Sequence, residues 1–78
     1  MARLLLLGPA RDAAGLRHDE VDGPTLDVAL ARAVERYGEE FARVLAISHV
    51  WVNGEAARAD APVTETDEIA VLPPVSGG

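Results

Sequence analysis

The chain has 78 residues, enough for one domain near the lower limit of independent folding, and such a domain has little room for an internal catalytic cleft. Its net charge of −6 argues against a general nucleic-acid binder, which needs a basic face to neutralise phosphates. The lack of cysteine excludes a disulfide framework, a thiolate nucleophile and a cysteine metal site.

The first element is a short apolar run, Leu4–Leu7, closed by Gly8-Pro9, which reads as a strand with apolar residues on both faces. Arg17–Val21 is a second strand, ended by Asp22-Gly23-Pro24, and Arg11–Leu16 is the loop expected between the two. Thr25 is placed as a helix N-cap, with Asp27 in the first turn to meet the positive end of the dipole. Leu26, Ala29, Leu30, Ala33, Val34 and Tyr37 then follow the spacing of one buried helical stripe, and Gly38 suits a left-handed stop. A short helix is expected over Glu40–Leu45, then a strand at Val50–Val52, the hairpin signal Asn53-Gly54 and a return strand at Glu55–Ala57. The last strand is Glu68–Leu72, which Pro73-Pro74 ends.

Strand, strand, helix, short helix and three further strands make an α+β roll, a mixed sheet wrapped around one main helix in the β-grasp, or ubiquitin-like, architecture. One helix covers one sheet face, so each strand alternates between core and solvent. Ile69 and Val71 are assigned to the helix side, leaving Ala70 and Leu72 outside. Leu4 and Leu6 point one way and Leu5 and Leu7 the other, so two leucines remain on the open face whichever pair is inside. An apolar cluster on an uncovered face is a candidate partner surface, unless a loop covers it. Trp51 points away from the face of Val50 and Val52, either into the core or toward a partner.

The interior offers no catalytic or metal constellation. His18 and His49 are far apart in sequence and read as solvated histidines, and Ser48 and Ser76 have no evident base. Glu39-Glu40 and Asp67-Glu68 read as solvated charges near turns or helix starts. The C-terminus differs. Proline cannot extend a hydrogen-bonded ladder, so the chain leaves the sheet at Pro73, and residues 73–78 could reach roughly 19 Å at ~3.1 Å per residue. The division expected is a domain over 1–72 and a flexible tail over 73–78. Gly77 and Gly78 lack side chains, so the tail suits a narrow channel, with the Gly78 carboxylate as the working group.

The stretch Asp67-Glu68-Ile69-Ala70-Val71-Leu72-Pro73-Pro74-Val75-Ser76-Gly77-Gly78 resembles the C-terminus of molybdopterin synthase small subunits. The resemblance runs the whole length, through the opening strand, Arg11, Gly15 and Val52-Asn53-Gly54, and Pro-Pro-Val-Ser-Gly-Gly is its most specific part. Related thiamine sulfur carriers also end in Gly-Gly, usually without the diproline. The resemblance implies a sulfur carrier whose Gly78 carboxylate is adenylated by an activating enzyme using ATP, then converted to a thiocarboxylate by a sulfur donor. It further implies a large synthase subunit, joined in a heterotetramer, that takes the tail and passes the sulfur to a cyclic pterin phosphate. Carried over by position, Leu7, Arg11, Ala56 and Leu72 lie at the partner interface, and Val75, Ser76 and Gly77 thread the partner's pocket. The chain itself is then a sulfur donor within a transferase complex and binds no cofactor or metal.

Three rival readings remain: a carrier for thiamine or another product, a conjugating modifier joined through Gly78, and a non-catalytic β-grasp binding module. All seven basic residues are arginines, at 3, 11, 17, 32, 36, 43 and 58, so the N-terminus supplies the one amine. The run Leu4–Leu7 is too short for a signal-peptide core, and no segment approaches the ~20 apolar residues of a membrane span. The location expected is the cytoplasm.

Overall fold

Alternating burial along the strands and a single apolar stripe on the main helix determine how the chain closes. The structure is a computed structural model and describes residues 1–74. In chain order its elements are β1 (Ala2–Leu6), α1 (Pro9–Ala14), β2 (His18–Val21), α2 (Leu26–Tyr37), α3 (Glu39–Ala46), β3 (His49–Val52), β4 (Glu55–Ala56) and β5 (Glu68–Leu72). The strands form one five-stranded sheet in the order β2-β1-β5-β3-β4. The central pair, β1 and β5, is parallel, and the other pairs are antiparallel. A mixed sheet with α2 packed on one face is the β-grasp, ubiquitin-like fold read from the sequence.

The core is made where the two periodicities meet. Leu4 and Leu6 of β1, Val21 of β2 and Ile69 and Val71 of β5 bury their side chains against Leu26, Ala29 and Ala33 of α2 and Phe41 of α3. Ile69 and Val71 do face the helix, and Leu5, Leu7, Ala70 and Leu72 are left half-buried on the other side. Ala29 and Ala33 have only methyl groups, which lets α2 lie close to the sheet, while Tyr37 meets Phe41 edge to face at 5.0 Å between ring centroids.

Three local expectations need correction. Residues 11–16 are not simply a loop, because α1 occupies Pro9–Ala14. Proline opens this helix without losing a needed donor, Ala10 is buried beneath it, and Gly15 ends it in the left-handed conformation, its N–H donating to the Arg11 carbonyl at 2.8 Å. Thr25 does stand at the N-cap of α2, but its hydroxyl donates to Asp27 Oδ1 instead of capping an amide. The first helical amides are satisfied from outside, Leu26 N–H by the Ala61 carbonyl at 2.9 Å and Asp27 N–H by the Ala59 carbonyl at 2.8 Å. Gly38 stops α2 with φ 99° and ψ −171°, a positive φ that favours glycine but lies outside the left-handed helical well, and it also precedes α3.

The β2 edge of the sheet is closed by side chains. Leu6 N–H donates to the Arg17 carbonyl at 2.8 Å, so alternation along the antiparallel ladder turns the backbone groups of Glu20 away from β1. Glu20 N–H donates to Asp19 Oδ1 at 2.8 Å, and its carbonyl accepts Arg36 Nη1 at 2.6 Å. A neighbouring strand finds this position already hydrogen-bonded.

Candidate functional site

The face of the sheet opposite α2 carries the residues singled out from the sequence. Cα partners define one row across it: His18 beside Leu5, Leu5 beside Ala70, Ala70 beside Trp51, and Trp51 beside Ala56. Toward the N-terminal end of β5, the preceding row is Glu20, Arg3 and Glu68, all charged. In the other direction Leu72 stands opposite His49. Leu7 N–H donates to the Val71 carbonyl at 3.1 Å, which continues the parallel register and sets Leu7 beside Leu72. The face therefore passes from charged to apolar toward the end where the chain leaves at Pro73, the tail pole.

Leu7, Leu72 and Ala56 thus share one face, with Leu7 and Leu72 adjacent and Ala56 two strands away across Trp51. Arg11 does not belong to these rows. It projects from α1 into solvent, its guanidinium 3.9 Å from Asp12. Trp51 is the residue whose placement the sequence left open, and it is 42% exposed on the open face. Its row neighbours are both alanines, too small to cover an indole. Leu5 and His49 also join this surface, and strand alternation was the signal that located Leu5. Val75, Ser76, Gly77 and Gly78 lie outside the described residues, and with them all of the flexible tail expected over 73–78 except Pro73 and Pro74.

The strand that leads to the tail is anchored at its start by a polar lock. Asn53 adopts φ 53° at the hairpin turn, Gly54 follows at φ 81°, and the Asn53 side chain reaches across to β5. Its Nδ2 donates to Asp67 Oδ1 at 2.9 Å, while its Oδ1 accepts Glu68 N–H at 3.0 Å. Asp67 Oδ2 accepts Thr64 N–H at 2.8 Å, and this bond, followed by that from Asn53, holds the Asp67 carboxyl below the usual carboxylate range. The Asn-Gly pair therefore makes the hairpin and also fixes the register at which β5 begins.

Among the described residues no group of three or more His, Cys, Asp or Glu is placed to hold a metal ion, and no helix is long and apolar enough to cross a membrane. His18 and His49 are exposed near opposite sides of the open face. What this arrangement can do chemically is present an apolar surface next to the point where a short C-terminal segment departs.

A five-stranded β-grasp sheet with its apolar open face beside the C-terminal exit defines a small ubiquitin-like protein. The chain belongs to the ThiS family, the sulfur carriers with this fold, whose profile matches residues 4–78. It is similar to the small archaeal modifier protein SAMP1 from Haloferax volcanii, at 32% identity and a TM-score of 0.80, covering 99% of this chain and 98% of that one. A molybdopterin converting factor subunit 1 from Pyrococcus furiosus shares the fold at a TM-score of 0.84 and 21% identity, covering 95% of this chain and 97% of that one. A chain of the complex of subunits 1 and 2 of the molybdopterin-converting factor from Helicobacter pylori also matches, at a TM-score of 0.70 and 22% identity, covering 99% of this chain and 97% of that one.

Proposed function

We propose that this family member is the sulfur-donor subunit of a molybdopterin synthase. Its Gly78 carboxylate is adenylated by a partner enzyme using ATP, a sulfur donor displaces AMP to leave a thiocarboxylate, and a large subunit delivers that sulfur to a cyclic pterin phosphate. Adenylation is needed because a carboxylate is a poor electrophile, whereas the mixed anhydride carries a good leaving group. The observation that carries the reading is the ending Pro73-Pro74-Val75-Ser76-Gly77-Gly78, which leaves a sheet whose open face is apolar at that pole.

On this reading the body docks through Leu7, Leu72 and Trp51, and the last residues enter the partner's pocket. The test is intact-protein mass spectrometry after incubation with ATP, an activating enzyme and a sulfur donor. Sulfur should replace one oxygen within the C-terminal peptide, and deleting Gly78 should abolish the product while leaving circular dichroism unchanged. The charged protein is then offered to the pterin precursor with a large synthase subunit, and separately to a thiazole-forming enzyme of thiamine synthesis. Transfer to the thiazole alone replaces the pterin reading by the thiamine one.

A second reading is protein modification through Gly78, favoured by the 32% identity to a protein named as a modifier. Activation at Gly78 is common to both readings. Formation of an isopeptide with a foreign lysine distinguishes them.

A further inference from the structure

Where the tail starts is decided by the two residues that meet at the tail pole. In the parallel β1–β5 pair, Leu7 N–H donates to the Val71 carbonyl at 3.1 Å. The next rung of such a ladder would run from the amide of residue 73 to the Leu7 carbonyl. Residue 73 is proline and has no amide hydrogen. The Leu7 carbonyl is instead taken by Ala10 N–H at 3.2 Å, closing a turn over Leu7–Ala10. Gly8 occupies the second position of that turn with φ 56° and ψ −130°, the geometry of a type II′ turn, which L-residues disfavour. A Cβ built on Gly8 would lie 3.4 Å from Pro73 Cγ, so the Pro73 ring rests against this glycine.

We infer that the Gly8 turn and Pro73 together form a positioning junction, which ends the sheet at one fixed rung and sets the direction in which the chain departs at Pro73. This inference rests on the proposed activation at Gly78 for its consequence, but its geometry concerns Leu7, Gly8, Ala10 and Pro73 alone. The turn holds the Leu7 carbonyl away from the departing chain, and the proline withholds the donor that would extend β5. Both partners of the missing rung are thus disabled, one by diversion and one by covalent structure. The tail is released after Leu72 at a defined point, with its first ring braced on the turn.

The experiment compares three synthetic proteins: the parent, Gly8→Ala, and the same position carrying D-alanine. A D-residue favours positive φ, so D-alanine keeps the turn, whereas L-alanine strains it. A nitroxide on Ser76→Cys, a single label site because the chain has no cysteine, reports by paramagnetic broadening where the tail lies relative to the body. The broadening map should change in Gly8→Ala and return to the parental pattern with D-alanine. For unlabelled proteins, the kcat of acyl-adenylate formation should fall about tenfold in Gly8→Ala with KM unchanged, and D-alanine should restore it. An unchanged map in a folded Gly8→Ala protein overturns the junction, and so does a D-alanine protein as altered as the L-alanine one. If the parent forms no adenylate while the maps behave as expected, the junction stands and the proposed activation falls.

Discussion

Asp19 connects β2 to the end of α2 through two side-chain donors and accepts a third bond from its own strand. Its carboxylate accepts the Tyr37 hydroxyl, Arg36 Nη1 at 2.9 Å and the neighbouring Glu20 N–H at 2.8 Å. The Tyr37 bond is the main cause holding the Asp19 carboxyl below its ordinary range, while burial and then Asp19 push the Tyr37 phenol up to about 12. The signs oppose one another in pH. Stability from Asp19 is present above the unfolded carboxylate value of ~3.9 and is lost as acid takes the pH through the lower folded value. Stability from Tyr37 is complete below ~10 and is lost as the pH rises through about 12. Urea midpoints measured from pH 2 to 12 should fall at both ends, and Tyr37→Phe should flatten the alkaline fall while costing about 1 kcal/mol near neutrality. On the open face, Leu72→Glu should leave circular dichroism unchanged and, under the proposed function, weaken binding to a large synthase subunit by roughly 1–2 kcal/mol, read by titration calorimetry.

At the scale of elements, the strands and α2 were legible because each shows its own periodicity. Leu26 to Tyr37 repeats every three or four residues, and β5 alternates buried Ile69 and Val71 with half-buried neighbours. The hairpin was legible from Asn53-Gly54 alone. Helix α1 was not, since its six residues bury only Ala10 and are too few to display a stripe. Its signals were the punctuation at either end, Gly8-Pro9 and Gly15. Gly15 has φ 83°, so Gly15→Ala should lower stability by about 1 kcal/mol in thermal denaturation. The apolar open face could be counted from β1 and β5, but Trp51 could be assigned to it only through the pairing of β3 with β5. The end of β5 was read from Pro73 without its counterpart, the diverted Leu7 carbonyl, which depends on a turn closed by Ala10. Substituting Pro73→Ala supplies the missing donor. Because the Leu7 carbonyl stays with Ala10 N–H, hydrogen exchange at the new amide should remain as fast as at an unbonded residue.

The described residues, 1–74, measure 33 × 25 × 18 Å, and four further residues span no more than about 14 Å when fully extended. A pocket that receives Gly78 must therefore lie close to the tail pole, where Leu7 and Leu72 stand. Under the modifier reading, activation of the protein alone should give no self-linked ladder on a denaturing gel, because all seven basic side chains are guanidinium groups. The sheet order has a mechanical consequence. The strand that continues into the tail is the central one, held by β1 on one side and β3 on the other. Because β1 and β5 are parallel, the start of β1 and the end of β5 lie at opposite poles, and tension between the termini slides one strand along the other. All their shared hydrogen bonds then bear the load together. Tension across the β3–β4 hairpin opens its bonds one after another. Single-molecule stretching from the two termini should therefore require a larger rupture force than stretching across that hairpin. A protein that withdraws the C-terminal end from a tight pocket by pulling on the body can do so without unravelling the carrier.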